Sequence, residues 1–101
     1  MEQNLKKSVK KEEELFLYLV KTFQTSAFIA LGKLENPMTK NTEVNFSQAS
    51  YYIDLLVMVQ SKANGNMSEY EEQMLINVVS ELKIDFMQLK SSNDEKQKKS
   101  K

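Results

Sequence analysis

"KANGNMSEYEE", residues 62–72, holds one of the two glycines of the chain and decides how its second half is arranged. Asn64, Gly65 and Asn66 all tolerate the positive backbone dihedrals of a tight reversal. Ser68 followed by Glu71 has the spacing of a capping box, and Glu69, Glu71 and Glu72 fall in the first turn of the helix that box would start, where the dipole favours acids. The stretch therefore predicts a corner between two helices. Two sharper readings fail on residue type. A calcium loop with Gly65 at its obligatory sixth position would put Gln60 first and Lys62 third, and a lysine ammonium cannot ligate calcium. A DNA-reading helix starting here would turn three glutamates toward phosphate.

Working outward, three segments carry helical periodicity and none alternates as a strand. The first is expected from about Glu12 to Leu31. Glu12, Glu13 and Glu14 lie at its positive end, and Gly32 is placed to end it in a left-handed conformation. Leu15, Leu19, Phe23, Ala27 and Ala30 or Leu31 make one apolar stripe, widened by Phe16, Val20, Phe28 and Ile29. The linker "KLENPMTKNTEVN", residues 33–45, carries the single proline, Pro37, and reads as a surface connection. A second helix starts at Asn45, a capping residue, with Gln48 placed to reciprocate. Its buried stripe is Phe46, Ala49, Ile53, Leu56 and Val59 or Gln60, broadened by Tyr52 and Leu55, and it ends near Ala63. The third carries Tyr70, Met74, Leu75, Val78, Val79, Leu82, Phe86 and Leu89 at three- and four-residue spacing.

Composition excludes much chemistry. The chain has 101 residues, 41% of them hydrophobic, enough for one small domain with a thin core. Fourteen lysines offset fourteen acids, so no net charge draws it to nucleic acid, and the absence of arginine removes the bidentate phosphate fork. With no cysteine and no histidine there is no disulfide, no thiolate nucleophile, no ordinary zinc site and no imidazole base. A cysteine-free chain fits a cytoplasmic location. The first fourteen residues, "MEQNLKKSVKKEEE", lack the apolar centre of a secretory signal. The greasiest run, Leu15 to Leu31, is interrupted by Lys21, Thr22, Gln24, Thr25 and Ser26, so no transmembrane segment is expected. The domain organisation expected is a flexible charged segment over 1–11, a three-helix domain over 12–90, and a disordered lysine-rich tail over 91–101. That tail, "SSNDEKQKKSK", has four lysines against two acids.

From Phe23 to Leu89 the residue order Ala30-Leu31-Gly32, Pro37, Ile53-Asp54-Leu55-Leu56, Lys62, Gly65-Asn66, Ser68 and Glu71 or Glu72 resembles the bacterial domain of unknown function 1844 family. The resemblance covers about two-thirds of the chain. It implies a small helical bacterial protein without an assigned activity. Two departures from the family pattern stand out: Met67 replaces a common leucine, and lysine or neutral residues stand where relatives often have arginine.

Candidate chemistry is thin. Asp54, between Ile53 and Leu55, would serve as a general acid if desolvated, but with Ser50 and Ser61 it also reads as part of a wet helix face. Glu81 and Asp85, four apart, share a side as a solvated pair or two oxygens toward a divalent cation. Lys21 and Lys62 have no neighbouring residue that marks a reacting centre. There is no phosphate loop and no nucleophile elbow. No catalytic residue, metal ligand or cofactor is assigned. Met58, Met74 and Met87 fill gaps between stripes or, if exposed, would strengthen the case for a docking surface.

What remains is excess apolar surface. "LFLYLV", residues 15–20, is apolar around the whole helix, and "LLVMV", residues 55–59, nearly so, while a three-helix bundle covers one broad stripe per helix. The expected fold class is all-α, a helical hairpin plus a long N-terminal apolar helix, completed by oligomerisation. The expected function is a non-catalytic interaction module, a homodimer or an adaptor for another protein, through Leu15, Phe16, Leu19, Val20 and Phe23. The opposing expectation is a closed monomer with Leu17 and Tyr18 merely exposed. Two alternatives stand beside these: a small ligand-binding protein or enzyme near Asp54 or the Tyr51 and Tyr52 pair, and electrostatic docking of the lysine-rich ends to RNA or anionic lipid.

Overall fold

The computed structural model describes the backbone of residues 2–99 and the side chains of residues 10–94. Among the described residues there are three helices, α1 (Glu2–Ala30), α2 (Phe46–Ala63) and α3 (Glu69–Lys99). No helix among the described residues is long and apolar enough to cross a membrane. Helical backbone thus extends past both ends of the 12–90 body. The flexible ends expected at 1–11 and 91–101 fall largely on side chains outside the described set.

Three contacts fix the helix directions. Phe23 of α1 lies against Tyr52 of α2, ring centroids 6.4 Å apart. At one end Glu12 and Phe16 share a cleft with Ser68 and Glu71. At the other, Lys33 Nζ, just past α1, stands 2.9 Å from Asp85 Oδ2 on α3. Hence α2 runs back along α1, and α3 returns parallel to it. Because α1 and α3 are much longer than α2 and overhang at opposite ends, the radius of gyration is 17.0 Å, against about 13 Å for a compact chain of this length.

The core is built from Val20, Ala27, Ala30 and Leu31 of α1 and the turn after it, Ala49, Ile53 and Leu56 of α2, and Leu75, Val78, Val79 and Leu82 of α3. Phe16, Phe23, Tyr52, Met67, Met74, Phe86 and Leu89 pack around it. The stripe expected on α1 is therefore rotated. Val20 is fully buried, while Leu15 and Leu19 face out. Tyr70, expected in the α3 stripe, is also exposed. At the far end Phe46 and Phe86 meet edge to face at 5.7 Å, with Lys90 Nζ 5.4 Å from the Phe46 ring centre.

Each helix end has a local cause. The turn after α1 is a Schellman motif: Gly32, at φ +75, donates to Ile29 O (3.0 Å), and Lys33 N donates to Phe28 O (2.9 Å). Asn45 caps α2 by accepting from Gln48 N at 3.0 Å. The reciprocal bond from Gln48 is absent, because Asn45 N donates instead to Ala30 O at 2.7 Å, beside the Leu31–Val44 bridge. Asn64 (φ −53, ψ 128) and Gly65 (φ +85) form a type II turn closed by Asn66 N donating to Ala63 O at 2.8 Å. Of the three residues suited to positive φ there, only Gly65 adopts it. The box at α3 is complete: Glu71 N donates to Ser68 Oγ (3.1 Å), and Ser68 N donates to Glu71 Oε1 (2.8 Å).

Candidate interaction face

The five residues expected to form a docking face divide between two sides of α1. Val20 is 0% exposed, and Phe16 and Phe23 are half-buried against the core. Leu15 and Leu19 remain 59% and 40% exposed, and Tyr18, which the expected face did not include, is 73% exposed. The division follows from helix geometry. Val20 and Ala27 point at α2 and α3, and on a period of 3.6 residues Leu15, Tyr18 and Thr22 lie on the opposite side.

The outer side of α1 continues onto α2. With Tyr52 beside Phe23, the antiparallel course of α2 carries Leu55 and Val59 alongside Leu19 and Leu15, and both α2 residues are only half-buried. Tyr51 extends the surface, its ring 6.0 Å from that of Tyr52, and Met58 is exposed at its rim. A two-helix apolar face results, with Leu15 and Leu19 at its centre. Met87 and Ile84 are exposed on α3, away from this face.

The other candidates are scattered. Asp54 is exposed on α2. Lys21 and Lys62 are exposed on separate helices, and Glu81 is exposed while Asp85, one turn further along α3 and with its side chain 13% accessible, is taken up by Lys33. The ammonium of Lys33 approaches Asp85 Oδ2 off hydrogen-bond geometry, so the contact is Coulombic and the oxygen has no hydrogen-bond donor. Among the described residues no group of three acidic, histidine or cysteine side chains is gathered closely enough to hold a metal ion. Clefts of about 410 Å³ open at each end, one lined by Val44, Phe46, Leu89, Ser92 and Asn93, the other including Glu12, Phe16, Met67 and Ser68. A smaller apolar notch of about 140 Å³ lies between Ile53, Phe86 and Met87. Asp54, Tyr51 and Tyr52 line none of these three.

The model of a domain of unknown function (DUF1844) matches residues 13–88. The chain belongs to this family. No curated protein and no solved structure matches it significantly. The DUF1844 match takes in both corners, the linker and every residue of the buried core. It also contains the whole outer face from Leu15 to Val59, so that face lies within the domain that defines the family.

Proposed function

We propose that this DUF1844 domain is a non-catalytic interaction module, working in the cytoplasm, that buries the α1/α2 face against another folded polypeptide. The observation that carries the reading is the exposure of Leu15, Tyr18 and Leu19 on the side of α1 opposite Val20. A helix greasy on two sides in a domain of this size leaves one side to be covered from outside, and contiguous apolar surface of this kind marks association sites. Each fully covered leucine would contribute about 1.5–3 kcal/mol.

The test is light scattering and sedimentation on the purified full chain, together with pulldown. Association should give a mass above the 11.7 kDa of one chain, or a retained partner. Leu19→Lys, at a position already exposed, should abolish association and leave the helical signal unchanged. A protein that stays at 11.7 kDa at high concentration and retains no partner would overturn the reading.

A further inference from the structure

Resting on that reading, we infer that what covers the face is a second copy of the same chain, its α1 packed antiparallel against α1 of the first. The outer side of α1 has a coiled-coil register. Lys11, Leu15, Tyr18 and Thr22 recur at alternating steps of four and three, the spacing of seam positions, and all four are exposed. Val20 and Ala27, sunk in the protomer's own core, stand on the opposite side. Thr22 is suited to a seam, since its hydroxyl donates to Tyr18 O at 2.8 Å and needs no partner across an interface.

The charges beside this seam select its partner and its direction. Glu14 and Lys21 immediately precede Leu15 and Thr22, so both lie on the same edge of the seam, the one away from α2. Both are exposed, and among the described residues neither is in an ion pair. On the other edge the equivalent positions are Glu12 and Leu19, both exposed, of which Leu19 is apolar and continuous with Leu55 and Val59 of α2. In a parallel pair, Glu14 would cross to the second copy's Leu19 and Lys21 to its Ser26, so neither charge would meet an opposite one. In an antiparallel pair, like edges meet. When Leu15 packs on Tyr18 of the second copy, Glu14 faces Lys21 of that copy, and Lys21 faces its Glu14. The two-fold axis thus generates two opposite-charge pairs from one Glu and one Lys seven residues apart. It also brings the edges that carry Leu19, Leu55 and Val59 together, with each Leu19 beside the Glu12 of the other copy at the rim. A foreign helix has no reason to mirror this arrangement, whereas a two-fold self-contact requires it.

The experiment is sedimentation equilibrium of the full chain across a concentration series, with circular dichroism to confirm folding. Glu14→Lys and Lys21→Glu each place like charges across both edge positions. Each should weaken self-association by about tenfold at low salt, with the loss shrinking as salt is raised. The double variant E14K/K21E exchanges the charges within one chain and should restore wild-type association. An equimolar mixture of the two single variants should form the mixed dimer in preference to either homodimer. If the chain self-associates but neither single reversal weakens it, or the double variant fails to recover, the antiparallel register is overturned while the proposed function stands. If the chain is a monomer at every concentration while Leu19→Lys still abolishes capture of a different protein, the second copy is overturned as the occupant.

Discussion

Gly32 and Gly65 both take left-handed backbone, at φ +75 and +85, yet a methyl group at the first would lie 2.9 Å from Val44 Cγ2 while one at the second would meet nothing within 4 Å. The first corner is a tertiary object. Its linker returns to bridge Leu31 with Val44, Asn45 N spans back to Ala30 O, and Lys33 reaches across to Asp85 on α3. The second is a local object, closed by bonds that span no more than three residues: Asn66 to Ala63, and Ser68 with Glu71. The same residue type therefore serves two purposes. At Gly65 only the backbone angle is needed, while at Gly32 the angle and the missing side chain are both needed.

The largest expected effect is at the crowded corner. Gly32→Ala should cost about 2–3 kcal/mol in urea unfolding, combining left-handed strain with displacement of a stiff β-branched neighbour. Val44→Ala in the same chain should recover the steric part and leave the strain, and a strictly additive double mutant would show that the 2.9 Å approach costs nothing. Gly65→Ala should cost only about 1–2 kcal/mol, with no neighbour able to rescue it, and a loss as large as that at Gly32 would break the contrast. Ser68→Ala, which removes one half of the capping box, should cost about 1 kcal/mol and speed amide exchange in the first turn of α3. Smallest is Lys33→Ala, about 0.5 kcal/mol because the lysine is 49% accessible; removal of a tie across the bundle should appear as faster exchange at the end of α1 and leave the second corner unaffected.

Much of the hairpin was legible before the structure, and for one reason. Residues 62–72 act on their own backbone, so turn chemistry, the capping box and the acidic first turn could be read from spacing. The periodicity of α3 likewise placed Leu75, Val78, Val79 and Leu82 on one side, because its polar residues are numerous enough to mark the other. On α1 the same method misjudged the side. Leu15, Leu19 and Phe23 recur at steps of four and Phe16, Val20 and Ala27 at steps of four and seven, both compatible with one helix side, and nothing in the intervals prefers one. Gln48 was misjudged for a related reason: its box needs a free Asn45 N–H, which the return of the linker to Ala30 takes away.

The amino-acid sequence by itself determined that there are three helices, where the first two stop and how the second corner turns, because each of these depends on groups a few residues apart. It also determined that more apolar surface exists than three helices can hide. Only the tertiary structure decided which side of α1 goes inside, because that choice depends on where α2 and α3 stand once the Gly32 corner has set their angle of return. With Val20 taken inward, Leu15, Tyr18 and Leu19 are the side chains left exposed.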